Sequence, residues 1–169
     1  MRGEVMKLLE SSAVQTSNRL KFYRLAFGAA GGIGSNVPIR DANSAATSLF
    51  EGTPINLEWN SEVGEMEKSA LKILLNMIPV TSETLIRGGD MAVNITTASD
   101  KLSIEVSVRA NRVIFQEKAR LMICGETEVL ESDPKLAPAY LATSVAAELG
   151  SKIEHINHNE NSFTLKVTV

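Results

Sequence analysis

The sequence has little of the residue types that most often carry chemistry or cross-link a fold. Its 169 residues include one cysteine, Cys124, and two histidines, His155 and His158. A single cysteine excludes an intramolecular disulfide and a cysteine-based zinc site, and it agrees with a reducing compartment. No apolar run reaches the roughly 20 residues of a membrane-spanning helix, and the N-terminus lacks the apolar core of a signal peptide. We therefore expect a cytoplasmic protein that does not enter a membrane.

An excess of charge of one sign is also missing. The chain has 17 basic and 20 acidic residues, which gives a net charge of -3. This balance gives no reason to expect nucleic acid or an anionic membrane as a partner. Hydrophobic residues make up 44% of the chain and charged residues 22%, as in ordinary globular proteins. The length suits one domain with an additional helical segment.

The first thirty residues are predicted to form one long helix, because apolar side chains recur at spacings of three and four without a proline. This stripe consists of Val5, Leu9, Ala13, Thr16, Leu20, Tyr23 and Phe27. A helix of this length spans about 40 Å, so we expect it to project beyond the rest of the chain and to pack in a bundle or coiled coil. Gly28, Gly31, Gly32 and Gly34 should end it in a flexible link. We therefore predict one part at residues 1–31 and a second at 32–169.

The second part alternates helix and strand patterns. Helices are predicted at residues 41–50, 66–78, 113–123 and 138–149, and strands at 55–59, 91–96, 102–109, 153–156 and 163–169. Asp41 is the expected N-cap of the first of these helices, and Pro79 should break or kink the second. Ser99 and Asp100 are expected at the tip of a hairpin. The order predicts an α/β (α+β) sandwich in which a mixed sheet has helices on one face.

The chemically active side chains do not form a convincing site. His155 and His158, with Glu154 and Glu160 nearby, are candidates for a metal site or a phosphoacceptor. They fall in a predicted hairpin among asparagines, however, whereas a phosphoacceptor histidine usually lies on a helix face that a partner can reach. We therefore interpret both as solvated turn residues. Cys124 follows an apolar run without a nearby base to lower its pKa, so we expect a structural thiol.

Other catalytic patterns are missing. The glycine run at residues 26–34 (AFGAAGGIG) follows a helix and precedes no Lys-Ser or Lys-Thr pair, which excludes both a P-loop and a dinucleotide-binding loop. There is no Gly-x-Ser-x-Gly motif, and carboxylates such as Glu65 and Glu67 are expected on solvated helix faces. We identify no catalytic, cofactor-binding or metal-ligating residue.

Several segments, taken together, resemble the ChpT-type histidine phosphotransferases of alphaproteobacteria. Residues 20–30 (LKFYRLAFGAA), with Ser11 and Ser12, resemble the second helix of that family. The family typically ends this helix in a run that is matched here by Arg24, Ala26, Phe27, Gly28 and Ala29. Weaker similarities follow in order at residues 57–59 (LEW), 70–76 (ALKILLN), 86–89 (IRGG) and 139–150 (AYLATSVAAELG).

The resemblance implies a histidine-kinase core that has lost its kinase activity. In this family a helical hairpin dimerises into a four-helix bundle that presents a phosphoacceptor histidine, and a degenerate ATP-binding-like domain follows it. The family takes a phosphoryl group from the receiver domain of a hybrid histidine kinase and passes it to response regulators. By resemblance, we expect those two partners, a homodimer, and no cofactor.

The sequence departs from working kinases at the nucleotide-binding motifs. Val80 stands one turn after Asn76, where a kinase would carry a second asparagine. Residues 108–112 (VRANR) replace the Asp-x-Gly-x-Gly box, and residues 135–138 (KLAP) replace the glycine-rich lid. Phosphate binding by backbone amides depends on such glycines, so ATP binding is not expected.

The acceptor of the family lies in the first helix of the hairpin, in a His-Asp pair, and neither histidine of this chain matches that motif. We expect this helix to be missing through a mis-assigned start, a truncation or a true loss. In the family, response regulators dock near the acceptor, and the matching exposed positions are Lys7, Ser11 and Gln15. Two alternatives stay open: a non-catalytic adaptor or inhibitor of two-component proteins, and an ATP-binding kinase or ATPase of the same fold.

Overall fold

The computed structural model describes residues 2–28, 35–127 and 133–169. Its helices are α1 (Arg2–Phe27), α2 (Ile39–Phe50), α3 (Lys68–Ser82), α4 (Glu117–Ile123) and α5 (Ala137–Glu148), with a 3-10 turn at Pro134–Leu136 before α5. Its strands are β1 (Asn36–Pro38), β2 (Ile55–Ser61), β3 (Glu65–Glu67), β4 (Gly89–Ala98), β5 (Lys101–Arg109), β6 (Glu154–Asn159) and β7 (Ser162–Thr168).

Five strands form one mixed sheet in the order β2-β4-β5-β7-β6. β2 and β4 are parallel, and the other neighbours are antiparallel. β1 and β3 pair separately. Ser99 and Asp100 connect β4 to β5 with φ angles of 51° and 63°, which matches the twist of a two-residue hairpin turn. The predicted mixed sheet and its hairpin tip are confirmed.

The core lies between one face of the sheet and the helices. Alternate residues of β4, such as Val93 and Ile95, are buried against the helix layer, while Asn94 faces the other side. α3 contributes buried apolar side chains along most of its length, including Ile73 and Leu74. The predicted α/β sandwich with helices on one face is therefore confirmed.

Some predicted boundaries are wrong. Pro79 lies inside α3, which continues to Ser82. The Ser82 hydroxyl donates to the carbonyl oxygen of Pro79 over 2.9 Å. The apolar side chains buried along α3 offset the hydrogen bond that Pro79 cannot donate. Asp41 is in the first turn of α2 and is not its N-cap, because the helix already begins at Ile39 after Pro38.

Two further segments differ from the predicted helices because of their tertiary contacts. α4 begins at Glu117, and the residues before it run extended, with the Ile114 amide donating to the Thr84 carbonyl oxygen over 3.1 Å. α3 begins after β3, so Glu65 and Glu67 lie on a strand and not on a helix. Strand pairing and a contact with the end of α3 thus override the helical patterns of these segments.

The predicted glycine link, with Gly31, Gly32 and Gly34, and the predicted boundary between residues 31 and 32 lie outside the described residues. Within the described part of the chain, no helix combines the length and apolarity that a membrane crossing requires.

Candidate functional site

The C-terminal half of α1 is anchored to the α/β domain. Phe22 and Ala26 are fully buried, and the Asn18 side-chain amide donates to the Ser48 carbonyl oxygen over 3.1 Å. The spacing of four residues places Asn18, Phe22 and Ala26 on one face of the helix. This attachment determines which other faces of α1 are left for partners.

Asn76 on α3 completes the anchor. Its side-chain amide donates to the carbonyl oxygens of Ala26, over 2.9 Å, and Lys72, over 2.8 Å. Val80, one turn later, is buried. Asn76 therefore holds the last turn of α1 against the domain.

Replacing Asn76 with alanine is expected to lower the free energy of unfolding by about 1–2 kcal/mol, because a buried hydrogen bond between α3 and α1 is lost. Amide hydrogen exchange in the last turns of α1 should accelerate more than in β5. Urea unfolding and site-resolved exchange measure both effects. Unchanged exchange near Ala26 would contradict the role of Asn76 as an anchor.

The N-terminal half of α1 borders a groove that contains all three predicted partner-binding residues. Lys7, Ser11 and Gln15 are exposed and line a cavity of about 410 Å³ with Glu51 and Gly52 from the loop after α2. We call these five residues the α1 groove. The spacing of four along α1 accounts for the shared face. The structure thus brings the predicted residues together, and their partner-binding role stays a prediction.

Sequence reasoning missed Glu51 and Gly52. A glycine shortly before Pro54 signals a turn, but the signal does not show that this turn lies beside α1. Gly52 has a φ of 74°, and a side chain there would approach the Gln15 amide. The positive φ of the turn explains the glycine, since a Cβ 3.5 Å from Gln15 Nε2 would make an ordinary van der Waals contact.

α1 also exposes many large apolar side chains. These are Val5, Met6, Leu8, Leu9, Val14, Leu20, Leu25 and Phe27. The predicted stripe is therefore largely exposed, and the domain is contacted mainly by Phe22 and Ala26 instead. Exposed apolar surface of this extent is typical of an interaction site.

His155 and His158 both lie on β6, so their interpretation as turn residues is wrong. The His155 ring packs against Phe115 and Phe163 with centroid distances of 5.4 Å and 5.0 Å. His158 Nε2 lies 2.9 Å from the Thr164 hydroxyl oxygen on the face of the sheet opposite the helices. The hairpin was predicted correctly. The contact of His155 with Phe115 could not be predicted, because the two residues are far apart in the sequence.

Burial lowers the pKa of His155 from its ordinary value, and the nearby Arg120 guanidinium lowers it further. The unfolded chain therefore binds this proton first as the pH falls, and the stability linked to neutral His155 is lost below about pH 6.5. We expect the free energy of unfolding to drop less between about pH 7.5 and pH 5.5 in His155→Gln than in the wild type. Denaturant unfolding at each pH measures this. Parallel pH dependence in both proteins would contradict it.

Cys124 is a buried free thiol, as predicted, and its pKa is raised by burial and by the nearby Glu126 carboxylate. Such a thiol is poorly suited to nucleophilic chemistry. The segment that was expected to stand in place of a glycine-rich lid contains the 3-10 turn Pro134–Leu136, in which the Asp133 side chain accepts from the Lys135 amide. Within the residues that the structure describes, no cluster of three or more His, Cys, Asp or Glu side chains has the arrangement of a metal site.

Comparisons with known proteins agree with this architecture. The family model of the histidine phosphotransferase C-terminal domain matches residues 39–161. The protein phosphotransferase ChpT of Brucella abortus is 29% identical over 150 residues, which cover 89% of this chain and 72% of that protein. A solved bacterial phosphotransferase superposes with a TM-score of 0.86 at 26% identity, covering 98% of this chain and 79% of the other.

Histidine kinases share the fold at lower identity. The histidine kinase domain of a blue-light-activated kinase from Erythrobacter litoralis has a TM-score of 0.63 at 10% identity, covering 97% of this chain and 80% of the kinase domain. The catalytic domain of the kinase ThkA has a TM-score of 0.58 at 14% identity, with 80% and 93% coverage. The expected kinase-like ATPase fold and the expected family are confirmed.

Proposed function

Because the chain belongs to the histidine phosphotransferase C-terminal domain family, we propose that it is a phosphorelay component acting between the receiver domain of a hybrid histidine kinase and response regulators. Family membership supports a role in two-component signalling. The observation that carries the finer proposal is the α1 groove, where Lys7, Ser11 and Gln15 line one cavity. The groove lies on the N-terminal half of α1, and the C-terminal half of the same helix is anchored to the domain through Phe22 and Ala26.

We assign receiver docking to the N-terminal half of α1. This half combines exposed polar and charged groups with exposed apolar side chains such as Leu8 and Val14. Lys7 and Glu51 supply opposite charges along the groove, which favours a defined orientation of the partner. A receiver domain seated here would contact both α1 and the loop after α2.

We assign the exposed stripe of α1 to pairing with a second copy in a helical bundle. Leu20, with 70% of its surface exposed, and Val5, with 54%, lie on that stripe. Large apolar residues at spacings of three and four are the pattern of helices that pack against helices. In this proposal residues 1–31 form the dimerisation and docking part, residues 32–169 form the degenerate kinase-like part, and the protein works in the cytoplasm.

The phosphoacceptor is proposed not to be a histidine of this chain. His155 packs against two phenylalanine rings, and His158 is hydrogen-bonded on the open face of the sheet, so neither lies on a helix beside the α1 groove. A helix carrying a His-Asp pair, as in the family, would have to supply the acceptor. Without it the chain would act as an adaptor that binds receiver domains.

A phosphotransfer assay tests the acceptor assignment. The chain is incubated with a phosphorylated receiver domain of a hybrid kinase, and acid-labile label is measured on the wild type, His155→Gln and His158→Gln. We expect no acid-labile label on any of the three proteins. Label on the wild type that disappears in either variant would show that this chain carries the acceptor itself.

A further inference from the structure

A second cavity lies at the end of the sheet where β4 begins and β5 ends. It measures about 910 Å³, and Arg87, Arg109 and Arg112 line it, three of the eight arginines in the chain. Asn111 and Asn161 add amide groups to its wall. We call this cavity the arginine cleft. It shares no lining residue with the α1 groove.

The backbone beneath the cleft is fixed by two glycines. Gly88 and Gly89 have φ angles of 85° and 150°, and their amides donate to the carbonyl oxygens of Leu85 and Pro54 over 2.9 Å and 3.1 Å. Both amides therefore already donate hydrogen bonds within the protein and are not available to a ligand. A ligand in the cleft must be held by side chains, chiefly the guanidinium groups.

The three guanidinium groups of the cleft outnumber the two carboxylates that also line it, those of Asp90 and Glu160. Asp90 lies directly opposite Arg109 in the strand register, yet its carboxylate accepts from the Asn56 side-chain amide over 3.1 Å. Across residues 2–28, 35–127 and 133–169, none of the three cleft arginines makes an ion pair. Three guanidinium groups against two carboxylates leave the wall of the cavity with an excess of positive charge, which favours a bound anion.

We propose that the arginine cleft binds a compound with two or more phosphate groups. The planar guanidinium group holds phosphate oxygens through pairs of hydrogen bonds, and three of them match more than one phosphate. The volume falls within the range of small-molecule sites. Through Asp90, Arg109, Asn159 and Ser162 the cleft continues into a depression on the open sheet face, where Ser107 and His158 offer polar groups to the rest of such a compound.

The cleft includes residues of the segment 108–112 that replaces the Asp-x-Gly-x-Gly box, but it does not include Asn76, the other position of the kinase pattern. Asn76, the residue that corresponds to the nucleotide motif, is buried on α3 within the helix layer. Arg109 instead follows Val108, whose side chain is buried on the helix side, so Arg109 lies on the opposite face of β5. The proposal therefore goes beyond the phosphorelay role and does not depend on it.

Isothermal titration of the full chain with inorganic pyrophosphate tests the proposal. We expect saturable binding that weakens about tenfold in Arg109→Gln and again in Arg112→Gln, since each change removes a charged pair of hydrogen bonds. Inorganic phosphate should bind more weakly than pyrophosphate. Arg40→Gln, at an exposed arginine on α2, is the matched control and should bind pyrophosphate like the wild type.

The proposal would be overturned by no detectable pyrophosphate binding, by equal binding of the wild type and the triple variant at positions 87, 109 and 112, or by an equal loss in Arg40→Gln. Circular dichroism of each variant checks that it is folded, which the surface location of the arginines favours. Binding that survives the triple variant but is lost in Asn76→Ala would place the ligand at the helix layer instead and would also contradict the proposal. Receiver binding at the α1 groove is unaffected by any of these outcomes.

Discussion

Replacing Phe22 with alanine is expected to lower the free energy of unfolding by about 3–5 kcal/mol, the usual cost of truncating a buried phenylalanine. The Phe22 side chain is fully buried and packs edge-on against Tyr23 with a centroid distance of 5.5 Å. It is the largest fully buried side chain of α1, so its loss should also release the C-terminal half of α1. Urea unfolding followed by circular dichroism measures the change in stability.

Leu20→Ala is the matched control for this experiment. Leu20 lies two residues earlier on the same helix with 70% of its surface exposed. Its truncation should change the free energy of unfolding by less than about 0.5 kcal/mol in the monomeric chain. Equal losses in Phe22→Ala and Leu20→Ala would show that α1 does not pack on the domain as described.

Gly88→Ala is expected to destabilise the fold by about 3 kcal/mol or more, because backbone strain and a steric clash add together. Gly88 has a φ of 85°, which side-chain-bearing residues rarely adopt. An added Cβ would also collide with the carbonyl oxygen of Pro54 and lie 2.6 Å from the Pro54 Cβ. The parallel pairing of β2 with β4 begins at this point, so the whole edge of the sheet should loosen.

Gly64→Ala provides the comparison. No atom lies within 4 Å of a Cβ added at Gly64. Thermal or urea unfolding should therefore show a change within about 0.5 kcal/mol for Gly64→Ala, as for ordinary surface substitutions. If Gly88→Ala were equally mild, the close approach of Pro54 to the start of β4 would be wrong.

The strands and the buried helix of this fold could be predicted because their local patterns agree with their environment. β4 and β5 alternate apolar and polar side chains because the sheet has one buried and one open face. α3 is apolar along most of its length because it lies deep in the helix layer. In these elements the spacing of apolar residues in the sequence matches the pattern of buried side chains in the structure, so the sequence alone predicts them.

The packing of α1 could not be predicted in the same way. Its apolar residues surround much of the helix, so periodicity alone does not show which of them contact the domain and which are left for a partner. Phe22 and Ala26 are buried, while Leu20 and Phe27, on the predicted stripe, remain exposed. Only tertiary contacts distinguish the two faces.

The two clefts also depend on long-range proximity. The α1 groove joins Ser11 to Glu51, and the arginine cleft joins Arg87 to Arg109 and Arg112. The residue types on α1 and their spacing of four were visible in the sequence. The loop residues reach α1 through the packing of α1 against α2, and the arginine cluster forms through the pairing of β4 with β5.

Binding of a receiver domain at the α1 groove is the central claim, and a titration of one receiver domain against three forms of the chain tests it most directly. The forms are the wild type, Ser11→Arg in the groove, and Thr96→Arg on the exposed end of β4 as the control. We predict saturable binding to the wild type and to Thr96→Arg, and affinity at least about tenfold lower for Ser11→Arg, equivalent to about 1.4 kcal/mol. Equal affinity for all three forms, or no binding to the wild type, would contradict the proposed docking site.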